Sequence, residues 1–182
     1  MISQQPTTLG ELDGTVSVRL EAIATLFSEA GFPVALSRHM EDWLKAHALF
    51  VTAIAGPIYR AQGSAAALAR RAEDVRLMAH GIRQGFEALS SAGVMIEPRK
   101  LAWLFALPTI IPEFYWRRFL ARPAAELIFA GHSRVATGEM WTLVKELREI
   151  IPPDPRTRPD LEMLWTAVAA EAKCGQQPEG MT

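Results

Sequence analysis

The apolar residues of this chain recur at three- and four-residue steps over most of its length. The pattern begins near Thr15, where Val16, Leu20, Ile23 and Phe27 follow helical spacing, and later segments repeat the same period. Such spacing places apolar side chains on one face of an α-helix, whereas a half-buried strand alternates residue by residue. We therefore predict an all-α, multi-helix domain whose broad apolar faces pack around one core.

Proline and glycine residues divide this pattern into six or seven predicted helices. Gly31 and Gly93 are typical of helix C-termini, and Pro57 is expected to bend or break the second helix. The predicted helices are Thr15 to Gly31, a helix capped by Ser37 that reaches Pro57, Ser64 to Ser91, Glu97 to Leu107, Leu107 to Ala121, Pro123 to Ile151, and Asp160 to Lys173.

The two ends of the chain differ from this helical middle. Residues 1–13 suit an extended segment that ends in the turn-like "ELDG", and we identified no partner strand for it. Because a lone strand leaves its backbone groups unsatisfied, this opening is expected to be the end of something larger. Residues 14–173 are predicted to form the helical domain, and residues 174–182 a disordered polar tail.

Composition excludes several classes of function. Hydrophobic residues make up 49% of the chain and charged residues 21%, which is ordinary for a globular protein, and the formal net charge is -1. That charge provides no field for nucleic acid or an anionic membrane, so we expect neither as a partner. No apolar run spans a bilayer and the N-terminus has no signal pattern, so the expected location is the cytoplasm.

No metal site is predicted from the cysteine and histidine content. Cys174 is the only cysteine, so the chain cannot form an internal disulfide. The four histidines are scattered, and His39 and His47 stand about two helical turns apart, too far to grip one metal ion. We interpret them as unrelated surface or core residues.

Three further stretches each allow more than one interpretation. The arginines of "LARRAEDVR" (68–76) favour a solvated face with ion pairs over an anion site. The "YWRRF" stretch (115–119) favours arginine stems packed over apolar surface, although nucleic-acid stacking or a partner-binding patch is the alternative. The small residues of "AGHSRVATGEM" (130–140) suit close helix packing or a surface facing a second domain.

Four stretches together resemble the C-terminal region of the ketopantoate reductase (2-dehydropantoate 2-reductase) family. They are "TTLGELDG", "RLEAIATLFSEAGFPVALS", "MEDWLKAH" and "FAGHSRVATGEMWTLVKEL", which span roughly residues 5 to 151 in the family's order. The resemblance implies a helical domain like that of 6-phosphogluconate dehydrogenase. It also implies a preceding Rossmann domain that binds NADPH, of which residues 1–13 would be the last strand.

The resemblance also implies site residues. The family's lysine, which protonates the ketone oxygen of the substrate, matches Lys45 after Trp43, and an ammonium group suits that task. The family's substrate-binding asparagines are replaced by Leu49 and Ala53. Thr52 is the nearby polar group, and His47 stands on the face that Trp43 shares; both are our candidates for binding the substrate.

A glutamate in the last long helix of the family contacts the substrate or the lysine. Glu126 is our candidate for that role, with Glu139 as the weaker alternative, because spacing does not fix the register. Without the resemblance, Lys45 would be interpreted as a solvated lysine paired with Glu41 one turn earlier.

Two functions follow as expectations. The first is the helical substrate-binding and dimerisation domain of an NADPH-dependent 2-keto acid reductase. Because the sequence lacks a glycine-rich phosphate loop, NADPH would be bound only if a Rossmann domain is supplied. The second is a non-catalytic helical interaction or dimerisation module. A homodimer is expected in both cases.

Overall fold

A computed structural model describes residues 6–175, which are mostly helical, with two short strands near the N-terminus. This confirms the predicted helical class. The first strand, β1, is Thr7–Leu9, the first helix, α1, is Val18–Glu29, and the second strand, β2, is Val34–Leu36. Ser17 caps α1 by accepting the backbone N–H of Leu20, and Gly31 follows the helix at a φ of +84° that favours glycine.

The first strand is not alone, which corrects the sequence interpretation. β1 pairs in parallel with β2, in a register that joins Thr8 to Ala35, and α1 crosses between them. The backbone N–H of Ser37 donates to the carbonyl of Leu9, which extends the ladder. These contacts form a β–α–β unit, residues 7–36, so the boundary drawn after residue 13 divides one structural unit. Residues 1–5 lie outside the described part.

The remaining helices are connected by short turns. α2 continues through Pro57, which neither breaks nor ends it, and the predicted long helix after Ser64 divides at Arg71, whose ψ is 83°. The predicted helix from Pro123 also divides, with one turn of π-helix, Glu126–Gly131, inside it. The helices are α2 Met40–Arg60, α3 Ala65–Arg70, α4 Ala72–Ser91, α5 Arg99–Ala106, α6 Ile110–Leu120, α7 Pro123–Ala125, α8 His132–Val135, α9 Thr137–Ile150 and α10 Pro159–Gly175.

Two predictions about helix ends are wrong. Ser37 does not cap α2, because its hydroxyl accepts the N–H of His39 and donates to the carboxylate of Glu97 instead. The predicted disordered tail is also too long, since Cys174 and Gly175 belong to α10. The rest of that tail, residues 176–182, lies outside the described residues.

The core lies where α2, α4 and α10 cross. Trp165 of α10 is fully buried, and α2 alone contributes ten buried residues. The helices approach closely at Gly56, where an added Cβ would lie 2.5 Å from the carbonyl oxygen of Leu164. α9 packs against both α2 and α10, and its contact with α2 creates the site described below.

Candidate functional site

The first half of α2 presents two kinds of side chain on different faces. Ala46 and Leu49 are fully buried in the core, whereas Lys45 and His47 line a cavity. This separation follows from the 3.6-residue period, which turns neighbouring positions about 100° apart. Ala46 anchors the helix in the core on one side of Lys45, while Leu44 on the other side lines the cavity with it, so the helix directs the lysine toward the cavity.

The cavity has a volume of about 760 Å³ and lies between α2, the π-helical turn, α8 and α9. Its walls are largely apolar. Lys45 and His47 of α2 are the polar side chains on one side of the cavity. The other polar side chains belong to α8 and α9, which form the opposite wall. The apolar lining is Leu44, Ala48, Val51, Ile128, Phe129, Met140, Leu143, Leu147 and Ile150, and the polar lining of the second wall is His132, Ser133, Glu139, Glu146 and Glu149.

Lys45 is held at the cavity by an ion pair. Its Nζ donates to Oε1 of Glu41 at 2.6 Å, and the lysine side chain is 29% exposed while that of Glu41 is 66% exposed. The hydrogen bond and the charge of the lysine lower the pKa of Glu41. Because exposed pairs of this kind contribute little to stability, a ligand carboxylate or carbonyl can take the place of Glu41 without a large penalty.

His47 stacks on Trp43, as their four-residue spacing indicates. The ring centroids are 4.7 Å apart and the planes differ by 9°. Burial lowers the pKa of His47, and the nearby His132 lowers it further. His47 is therefore neutral near pH 7, so its ring can donate or accept a hydrogen bond at the cavity wall without adding charge.

Glu126 does not line the cavity. Its carboxylate accepts the backbone N–H of Ala65 at 2.9 Å and a guanidinium N–H of Arg134 at 2.7 Å. The hydrogen bond from Arg134 is the largest cause of its lowered pKa. Glu126 therefore satisfies the first turn of α3 and ties it to α8, whereas the alternative residue, Glu139, is the one that lies at the cavity with Lys45.

Thr52 lies in the core, away from the cavity. It is fully buried, its hydroxyl donates to the carbonyl of Ala48 at 2.8 Å, and the indole N–H of Trp165 donates to it at 3.2 Å. Both roles of the hydroxyl are thus used within the protein. Its position gives a substrate no access to this group, so the expected substrate contact has no basis in the structure.

Several cavity residues were not identified from the sequence. His132 and Ser133 lie in the stretch of small residues that we interpreted as a packing or partner-facing surface. A usable signal did exist for the acidic wall, because Glu139, Glu146 and Glu149 stand seven and three residues apart, which places them on one helical face. Within residues 6–175, no three metal-binding side chains are close enough to hold an ion.

Comparisons of this chain with family models, with curated proteins and with solved structures found no match. The residues of the cavity and the sequence resemblance given above are therefore the basis of the function proposed below. In the described part of the chain, no helix has both the length and the apolar character needed to cross a membrane.

Proposed function

We propose that this chain provides the helical, substrate-binding part of an NADPH-dependent 2-keto acid reductase with a ketopantoate reductase-like helical domain. The observation that carries the proposal is the position of Lys45 at a mainly apolar cavity of about 760 Å³. The ammonium group of a lysine in such a setting can stabilise the negative charge that develops on a carbonyl oxygen during reduction, and it can donate a proton to that oxygen.

The cavity supplies three of the requirements of the reaction. The ammonium group of Lys45 polarises the ketone, and it protonates the oxygen as the carbonyl carbon receives a hydride. Apolar side chains of α9, such as Met140 and Leu143, hold the substrate side chain, and they share that helix with the three glutamates of the lining. Because Lys45 is 29% exposed, it regains its proton from solvent after each reaction.

The replaced asparagines narrow the substrate class. Leu49 and Ala53 are fully buried in the core, so neither position offers a hydrogen bond to a hydroxyl group of the substrate. The side chains that line the cavity beside Lys45 are mostly aliphatic or aromatic. These features favour a 2-keto acid with an apolar side chain over ketopantoate, because the two positions that carry asparagine in the family offer its hydroxyl no hydrogen bond.

The described residues do not fit NADPH. A dinucleotide fold places the pyrophosphate at the helix N-terminus that follows the first strand. Near the start of α1, the carboxylate of Glu11 accepts the hydroxyl of Ser17 and pairs with Arg19, so negative charge is already present there. Gly10 and Gly14 pack against the carbonyls of Ser37 and Arg38. In this proposal the hydride donor is held by a domain outside the 182 residues.

A non-catalytic interaction or dimerisation module is the second candidate. The observation that favours it is the apolar surface of α1, where Val18 is 83% and Leu26 64% exposed. The two-stranded parallel sheet beside it is also unusual, because parallel sheets are normally covered on both faces. Light scattering at several concentrations tests the homodimer, and a monomer at every concentration would count against it.

The catalytic proposal is tested by mixing or fusing the chain with a Rossmann domain of the family and measuring NADPH-dependent reduction of 2-keto acids. Lys45→Ala is expected to lower the rate by about 10²-fold or more, the usual contribution of a general acid. Lys100→Ala, which removes an exposed lysine from α5, is the matched control and should leave the rate unchanged. Equal rates for both variants would remove the catalytic role of Lys45.

A further inference from the structure

A second cavity, of about 660 Å³, lies between α3 and α6 and carries four arginines. Its walls are made by small alanine side chains, with the ring of Phe114 on one side. No carboxylate contributes to its lining. The arginines are Arg70, at the end of α3, and Arg117, Arg118 and Arg122, on α6 and just after it. We call this site the arginine pocket.

The arginines of the pocket differ from those beside it in how their charge is balanced. Arg60 and Arg71 both pair with Asp74, and Arg76 pairs with Glu113 at 3.0 Å. Among residues 6–175, by contrast, no ion pair joins a pocket arginine to a carboxylate. The solvated ion-pair reading of "LARRAEDVR" therefore holds for Arg71 and Arg76 and fails for Arg70.

Local contacts hold two of the four guanidinium groups in place without neutralising them. The Nε of Arg117 donates to the carbonyl of Ala69 at 3.3 Å, which ties α6 to α3. The guanidinium of Arg118 lies 5.8 Å from the ring centroid of Phe114. Arg70, Arg117 and Arg118 also stand in the last turns of their helices, where positive charge is tolerated.

Four unpaired guanidinium groups around one concave surface match a specific ligand chemistry. Each guanidinium offers up to five N–H donors in a planar fork that fits the oxygens of a phosphate. A terminal phosphate carries about two negative charges at neutral pH, so a run of phosphates balances the pocket, while a single carboxylate does not. The alanine walls leave the volume for such a group.

We propose that the arginine pocket binds a small molecule that carries a di- or triphosphate group. A small ligand is favoured over a nucleic acid because the unpaired guanidinium groups converge on this pocket. The net charge of the chain is -1, and the neighbouring Arg60, Arg71 and Arg76 share the carboxylates of Asp74 and Glu113, which leaves one positive charge beside the pocket rather than a basic stripe that a nucleic-acid backbone could follow. This proposal is independent of the reductase proposal.

The test is calorimetric titration of the full chain with inorganic tripolyphosphate and, separately, with ATP. The double variant Arg118→Gln/Arg122→Gln is expected to weaken binding by roughly a hundredfold, about tenfold for each charge-assisted contact. Both side chains are exposed, so the variant should keep the circular dichroism spectrum of the wild type. Binding of both anions assigns the affinity to the phosphate run, and binding of ATP alone identifies a nucleotide as the source.

The matched control is Arg99→Gln/Arg156→Gln, which removes two exposed arginines that lie outside the pocket. It should bind both anions as the wild type does. An equal loss in this control would show that only the overall charge matters, and would overturn the proposal. So would the lack of saturable binding, citrate binding as tight as that of tripolyphosphate, or single-stranded RNA binding tighter than ATP at the same salt concentration.

Titrations with NADPH should be run on Arg118→Gln/Arg122→Gln, because NADPH also carries phosphates. Heat from the arginine pocket is then removed from the test of the reductase proposal. The two proposals can thus fail separately, one by the loss of polyphosphate binding and the other by the loss of 2-keto acid binding.

Discussion

The N-terminal β–α–β unit and the three-helix core of α2, α4 and α10 use apolar residues in opposite ways. α1 has a single buried residue, Leu20, and exposes Val18 and Leu26. In the core, α2 buries ten residues and Trp165 is fully enclosed by its neighbours. The core helices therefore bury their apolar side chains against one another, whereas the N-terminal unit leaves apolar side chains in contact with water.

This difference shows that the core helices bury their apolar side chains against one another, whereas α1 has apolar side chains that a partner could cover. Burial of apolar area is the main favourable contribution to folding, so the core supplies most of the stability. The N-terminal unit is held by a three-residue strand pair and by a few polar contacts, such as the hydroxyl of Ser37 donating to Glu97. Covering α1 with a second protein surface would be favourable, as the proposed interaction module requires.

The sharpest test of the comparison replaces a leucine by alanine in each region. Leu49→Ala in α2 removes a fully buried side chain, and we expect it to lower the free energy of unfolding by about 2–5 kcal/mol. Leu26→Ala in α1 should change it by less than about 0.5 kcal/mol, because that side chain is 64% exposed. Urea denaturation measures both, and equal losses would contradict the division between the regions.

A smaller effect is expected from adding one methyl group at a helix crossing. Gly56→Ala would place its Cβ 2.5 Å from the carbonyl oxygen of Leu164, and the required shift of α10 should cost about 1–3 kcal/mol. Gly138→Ala is the matched control in α9, where nothing lies within 4 Å of the added Cβ. It should be neutral or stabilising because alanine favours helix. Thermal melting of both variants gives the answer, and an unaffected Gly56→Ala protein would mean that the crossing is loosely packed.

The smallest expected effect concerns pH. Burial lowers the pKa of His47 below its ordinary value of 6.5, so the unfolded chain takes up a proton there before the folded chain does. Stability should therefore fall as the pH decreases below about 6.5, and His47→Gln should reduce that slope. In the N-terminal unit the hydrogen bond from Ser17, followed by that from Arg19, lowers the pKa of Glu11, so its carboxylate stabilises the fold above about pH 4.5. Glu11→Gln should therefore lower stability above that pH, and its effect should disappear as the pH falls below it. Denaturation at a series of pH values checks both, and identical profiles for the two variants would contradict this.

The helical class could be predicted because each helix carries its own period. The parallel strand pair could not, because each strand has three residues and its partner lies beyond a whole helix. The same limit explains the error at Arg71, where the division of a predicted helix depends on tertiary packing of α3 against α6. Pro57 was expected to bend or break α2, but the helix continues to Arg60 and Pro57 is buried, so packing in the core compensates for the one backbone N–H that proline lacks.

The site was predicted unevenly for a related reason. Lys45 could be proposed from the resemblance, which matches it to the family's lysine, and its pairing with Glu41 from i,i+4 spacing. The choice between Glu126 and Glu139 depended on register within a helix that includes a π-helical turn, and no local signal marks that turn. The arginine pocket combines residues from the stretches 68–76 and 115–119, which lie on separate helices. No local pattern in either stretch predicts that the two are neighbours in the fold.

Calorimetric titration of the full chain with a 2-keto acid that has an apolar side chain, such as 2-oxoisovalerate, tests the central claim most directly. The account predicts saturable binding to the wild type and to Lys100→Ala, and a loss of about tenfold or more in affinity for Lys45→Ala, because the ammonium group contacts the ligand. Binding that is unchanged in Lys45→Ala would contradict the assignment of Lys45 to a substrate site.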